Sequence, residues 1–255
     1  MHQLRLFFTA LQFFTRLPIP AWVGFDAAWL NQASRYFPLV GIVVAAITAG
    51  VYAAAAWLLP APVAVLISTS AGIYATGAFH EDGFADMCDG FGGGMSADRV
   101  LEIMKDSRIG AYGAIGIICL LGLKCLTLAY LPVLTVIGAL FVAHPLSRLL
   151  AASLIWRMEY ARAEGKAKPL AQTMSTGEFA IACVSALLAI AAVAASGALP
   201  GRAILAGALA ALAATLWLAR LFARRIRGYT GDCLGAVQQV GEVMIYLGVL
   251  ACMGH

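Results

Sequence analysis

Residues 37–59 read FPLVGIVVAAITAGVYAAAAWLL, 23 positions without one charged side chain. A run of about 17–25 apolar residues is long enough to cross a bilayer as a helix. This one opens after Arg35 and closes at Leu59-Pro60-Ala61-Pro62. Six further runs follow, near residues 63–79, 109–131, 133–156, 179–199, 203–219 and 234–253. Across all 255 residues, 62% are hydrophobic and 12% charged, with a mean hydropathy of +0.87. A soluble domain carries roughly 25% charged residues, so composition excludes one. Tight turns at 60–62, 131–132 and 200–202 predict helical hairpins, where a β-barrel would show short alternating segments. The expected fold is all-α: a polytopic membrane bundle of about seven spans, a single domain over residues 1–255.

Basic residues set its orientation. Arg5, Arg16 and Arg35 precede the first span, and Arg99, Lys105 and Arg108 follow the second. Arg157, Arg162, Lys166 and Lys168 follow the fourth, and Arg220, Arg224, Arg225 and Arg227 the sixth. Fourteen of the seventeen lysines and arginines thus share one side, with Arg202 on the other and Lys124 and Arg148 inside spans. Cytoplasmic loops carry that excess. The N-terminus and the loops at 80–108, 157–178 and 220–233 are therefore expected to face the cytoplasm, across a bacterial inner membrane. Residues 3–16 hold Arg5 and an apolar run too short to span, followed by Arg16-Leu17-Pro18-Ile19-Pro20 instead of a cleavage site. They are expected to form an amphipathic interfacial anchor, not a signal peptide. The six cysteines show no metal spacing, and Cys88 and Cys233 are expected to be free thiols on a reducing side.

Into this chain His80 to Arg108, HEDGFADMCDGFGGGMSADRVLEIMKDSR, brings seven carboxylates, over half of the thirteen acids. Asp82, Asp86 and Asp89, at i, i+4 and i+7, stack on one helical face. Like charges so placed repel, and a cation or arginines relieve them. The pattern predicts that span two continues as a helix past Phe79 and delivers the three aspartates to the membrane–cytosol boundary. Gly90, Gly92, Gly93 and Gly94 would then break it, and Ser96 would cap a short surface helix. Oxygen ligands without His or Cys select Mg²⁺ or Mn²⁺ over zinc, leaving positions for substrate phosphate. A merely solvated acidic loop needs no such spacing; that description suits Asp98 and Glu102, which fall off the acidic face.

Before span seven, Arg224-Arg225-Ile226-Arg227-Gly228-Tyr229-Thr230-Gly231-Asp232 sets arginines and glycines beside a helix start, where N–H groups can meet phosphate. Four arginines alone would be only a positive-inside stop. Asp232 argues for more, because Gln239 and Glu242 follow it on one helical face. Glu242 lies about 15 Å deeper than Asp232 along that helix. Charges inside a membrane are costly, which makes Glu242, Lys124, His144 and Arg148 functional candidates, with mutual pairing as the competing reading. Aspartates, glycines and Mg²⁺ at a cytoplasmic interface point to phosphoryl or phosphodiester transfer.

Several blocks resemble the cobalamin-5′-phosphate synthases, the adenosylcobinamide-GDP ribazoletransferase family. They are Phe14-Thr15-Arg16-Leu17-Pro18-Ile19-Pro20, Phe37-Pro38-Leu39-Val40-Gly41, His80 through Gly90, Leu101 through Arg108, Ser147-Arg148, and Thr230 through Glu242. They cover nearly the whole chain in family order. The resemblance implies that α-ribazole or its 5′-phosphate attacks the cobinamide-bound phosphate of adenosylcobinamide-GDP and releases GMP, with Mg²⁺ required. It implies Asp82, Asp86, Asp89 and Asp106 as metal ligands and Asp82, Asp106 and Arg108 as catalytic residues. Lys124, Arg148, Thr230, Gly231, Asp232 and Glu242 would contact phosphates or brace the site. Asp106 is the first choice for the proton acceptor, and Glu81 occupies a variable motif position and carries less weight. The partners implied are the two substrates and the lipid bilayer, with no nucleic acid; a homo-oligomer is allowed.

Two rivals share some of these features. Asp86-x-x-Asp89-Gly90 matches the start of the CDP-alcohol phosphotransferase motif, but the remainder does not follow. A cation transporter would place its acids near mid-membrane in broken helices.

Overall fold

The protein, here a computed structural model, is described over residues 1–161 and 172–253. Every regular element among them is helical. In chain order these are α1 (His2–Phe14), α2 (Ala27–Ala33), α3 (Phe37–Leu58), α4 (Ala61–Thr76), α5 (Phe79–Gly93) and α6 (Ala97–Ile103). They continue with α7 (Ala111–Ala129), α8 (Val133–Arg157), α9 (Thr176–Ser196), α10 (Gly201–Ile226) and α11 (Gly231–Met253). Six stretches are long and apolar enough to cross a membrane, and the bent pair α4–α5 makes a seventh if counted as one. The all-α membrane bundle expected from composition is the fold found.

Helices α8 and α11 form the centre. In their most apolar windows 72% of α8 and 56% of α11 is buried, against 17% of α9. Small residues such as Gly138, Ala139, Ala143, Ser147 and Gly241 line the inner faces, as close packing between membrane helices requires. The outer helices turn Leu187, Leu188, Leu209 and Ile118 outward. Of the three expected hairpins, α3–α4 packs closely, whereas α7 lies on α4, α5 and α11 rather than along α8.

The second span departs from expectation. Gly77 (φ +64°) and Ala78 (φ +58°) are both left-handed, and their N–H groups bond back to Tyr74 and Ile73. That closes α4 as a C-cap instead of passing the helix on, and α5 leaves at 89°. Arg16 fills the corner: its N–H donates to the Ala75 carbonyl at 2.8 Å and its guanidinium lies 5.4 Å from the Tyr74 ring.

Two further expectations are corrected, and part of a third lies outside the described residues. The stretch 80–108 is helix for most of its length, and Gly90, Gly92 and Gly93 lie within α5, which ends only at Gly94. A Cβ on Gly90 or Gly94 would strike Met104 or Val100, so these glycines admit α6 rather than break α5. Residues 220–226, expected in a loop, are the last turns of α10, because Leu218, Phe222 and Ile226 continue its buried stripe. Of the expected loop at 157–178, residues 162–171 lie outside the described residues, and Arg162, Lys166 and Lys168 with them.

Candidate active site

Helix α5 lies across the start of α11, and two glycines set the distance. A Cβ on Gly83 would stand 3.0 Å from Asp232 Cα, and one on Gly235 would stand 3.1 Å from the His80 carbonyl oxygen. Backbones therefore touch, and the side chains beside them converge. Asp82 is exposed and Asp86 half-buried on α5, on the turns that flank the Gly83 contact with Asp232. Thr230 is fully buried and caps α11, its hydroxyl accepting the Cys233 N–H at 3.4 Å. The turn before it is stitched to the chain leaving α8: Ala161 N–H donates to the Tyr229 carbonyl at 2.8 Å, and Tyr229 N–H to Glu159 at 3.0 Å. At the far end of α5, Arg225 donates to the carbonyl of Gly94 at 2.6 Å, meeting the helix's C-terminal carbonyls. The segment after Thr230 thus meets the acidic helix at this crossing.

The four aspartates do not converge. Asp89 is buried, its two oxygens accepting the N–H groups of Gly110 at 2.7 Å and Gly113 at 2.8 Å; it caps α7. Asp106 lies on the linker before α7 and takes the Arg108 fork, Nε at 3.0 Å and Nη2 at 2.7 Å. Those bonds hold its carboxyl down at about 2. Among the described residues no three of Asp, Glu, His and Cys come close enough to share a metal ion. A four-carboxylate cage is thus not formed. Mg²⁺ is usually bound through one or two carboxylates with substrate phosphates completing the shell, and Asp82 and Asp86, one helical turn apart on α5, are of the residue type and spacing for that mode.

Lys124, Arg148 and Glu242 are assembled elsewhere, inside the bundle. Glu242 is fully buried, with Lys124 Nζ at 2.5 Å, His144 Nδ1 at 2.6 Å and Arg148 Nη1 at 3.6 Å. Gln238 donates to the same carboxylate. On the neighbouring face of α11, Gln239 Nε2 donates to Glu81 Oε1 at 2.8 Å. His80 stacks on Phe14 of α1, centroids 5.5 Å apart. Glu81 was given little weight from the sequence, yet the structure buries it to 8% exposure. A signal was present: Glu81, Phe84, Ala85 and Cys88 follow helical spacing on an apolar stripe, so that acid had to face inward. Gln238 and Arg225 had no such marker.

Comparison with known proteins finds relatives along nearly the whole chain. The family model described as cobalamin-5-phosphate synthase matches residues 6–250. A curated relative from Leptothrix cholodnii, named adenosylcobinamide-GDP ribazoletransferase, is 45% identical over 98% of this chain and 97% of its own. Relatives of the same name from Shewanella frigidimarina and Shewanella woodyi are 43% and 46% identical, covering 98% and 97% of this chain and 96% of each relative. No solved structure matches.

Proposed function

The chain belongs to the cobalamin-5-phosphate synthase family, and from that premise we propose that it transfers the adenosylcobinamide phosphate of adenosylcobinamide-GDP to α-ribazole or its 5′-phosphate. The ribazole hydroxyl oxygen bonds to the cobinamide-linked phosphorus, the bridge to the second phosphate breaks, and GMP departs with that electron pair. The product is adenosylcobalamin or its 5′-phosphate, the last assembly of the cobalamin pathway. The observation that carries the reading is the backbone contact of Gly83 with Asp232, which brings the turn of α5 that bears Asp82 and Asp86 up to the start of α11.

The residues divide the work. Asp82 and Asp86 would hold Mg²⁺, which when bound neutralises pyrophosphate charge and eases departure of the nucleotide. The N–H groups at Thr230–Gly231, at a helix start, favour phosphate oxygens. Arg108, exposed and oriented by Asp106, offers its remaining donors to the same anion. A carboxyl held near 2 is a weak base for a hydroxyl proton, so that proton falls to an α5 aspartate, Asp82 or Asp86. Lys124, Arg148 and Glu242 brace the bundle beneath the site rather than touch the nucleotide. We further place the N-terminus, α5 and the basic loops on the cytoplasmic side of the inner membrane, as the positive-inside distribution favours.

The rival readings have less support. The bent pair α4–α5 and the interior acids have the look of a transporter. Yet Glu242 is engaged by Lys124, and the cavity beside it is about 20 Å³, room for one water. The relatives named above are ribazoletransferases, not CDP-alcohol phosphotransferases. The test is GMP release by the purified protein in lipid, given adenosylcobinamide-GDP, α-ribazole and Mg²⁺. Release that Asp82→Ala abolishes is expected; no release, or release that Asp82→Ala leaves intact, overturns the reading.

A further inference from the structure

Glu81 turns away from the acidic face of α5 into the bundle, where four helices bring ionisable groups to one small cavity. Its lining includes Glu81 from α5, Lys124 from α7, Arg148 and His144 from α8, and Glu242 from α11. Lys124 and Arg148 are two basic side chains, and both lean on Glu242, at 2.5 Å and 3.6 Å. One carboxylate against two cations would leave a buried charge uncompensated, which proteins tolerate poorly. Glu81, itself buried, is the second acid in that lining.

Orphaned atoms point the same way. Among the described residues, Glu81 Oε2, Gln238 Oε1, Gln239 Oε1 and Arg148 Nε are buried without a hydrogen-bond partner. That is one donor and three acceptors, all on residues lining a cavity of about 20 Å³. A water needs about 10–15 Å³ and two to four polar partners. That volume admits one water.

We propose that Glu81 is the second counter-charge of this core. Through its bond to Gln239 and one internal water shared with Arg148, it is also a positioning residue that seats α5 against α11. Asp82 is the next residue, so the depth at which Glu81 is held sets where Asp82 and Asp86 stand relative to the start of α11.

The inference rests on the transfer reaction proposed above, and charge compensation tests it. Glu81→Gln leaves the core one positive charge in excess, Lys124→Met one negative, and the double variant restores balance. Each is prepared full length in lipid, and thermal midpoint, kcat and KM for adenosylcobinamide-GDP are measured. Each single variant is expected to lower the midpoint and cut kcat about tenfold, with KM within about twofold; the double recovers kcat to within about threefold of wild type. A silent Glu81→Gln, or a double no better than the worse single, overturns the proposal. So does a lowered midpoint with unchanged kcat, which leaves a structural charge without a positioning role. Should the singles fail to fold, a folded and active double supports the proposal and an unfolded one sinks it. If wild type itself releases no GMP, the transfer reaction fails, and the midpoints still judge the charge balance.

Discussion

Three carboxylates of one acidic stretch do three different things, and their bonding partners decide which. Asp89 gives both oxygens to N–H groups at the start of α7. Removing such a cap costs about 0.5–2 kcal/mol, so Asp89→Ala should lower the thermal midpoint in lipid and reduce activity chiefly through the folded fraction. Asp82, exposed and without that structural load, should behave oppositely: Asp82→Asn keeps the midpoint and lowers kcat at least tenfold, about 1.4 kcal/mol of transition-state binding. An unchanged kcat would remove Asp82 from the mechanism. Asp106 adds a pH argument. The Arg108 fork lowers its carboxyl below the ordinary value of 3.8 to about 2. A depressed acid contributes above its unfolded value and loses that contribution only as pH falls through the folded one. Asp106 therefore stays ionised from pH 5 to 9, and Asp106→Asn should leave both limbs of the pH–rate profile in place while lowering kcat. A limb that disappears with this substitution would make Asp106 the titrating base after all.

Among the elements, the corner between α4 and α5 decides most. Alanine in the left-handed region costs about 1–2 kcal/mol, and Ala78 already sits there at φ +58°. Gly77 at φ +64° needs the same left-handed backbone, and an added Cβ, 2.9 Å from Arg16 Nε, would also displace that side chain. Gly77→Ala should lower the midpoint and activity together, whereas Ala78→Gly should be tolerated in both; equal tolerance would mean that the bend is not fixed by this pair. This corner was not legible in the sequence. Gly77 stands in an apolar run like any span glycine, and hydropathy reports length without direction, so span two was read as straight. The lengths of α3, α8 and α11 were legible, because an uncharged run of the right length has few alternatives in a membrane. The end of α10 was misplaced for the opposite reason: Arg220 was read as a border, although Leu218, Phe222 and Ile226 keep the helical stripe going past it.

At the scale of the molecule, polarity in two senses is superimposed on one bundle. Both helix starts that carry the proposed site, those of α5 and α11, meet at the Gly83–Asp232 contact. The aspartate spacing made this end of the protein visible in advance, since charge is conspicuous in an apolar chain. Its depth was not visible, because Glu81 and Gln239 meet across helices 158 residues apart in sequence. Charge asymmetry predicts which end faces the cytoplasm, and the structure supplies exposed reporters on either end: Arg99 in α6 and Arg202 at the start of α10. With the six native cysteines replaced, Arg202→Cys should react with a membrane-impermeant maleimide in intact spheroplasts, and Arg99→Cys only after permeabilisation. Arg99 shares the linked α5–α6 end with Asp82, so its side is the side of the chemistry. The reverse labelling pattern would put that end outside and would require both substrates to arrive from the periplasm. Labelling of both positions in intact spheroplasts would imply an even number of crossings between them, so that one of the intervening helices α7, α8 and α9 does not cross.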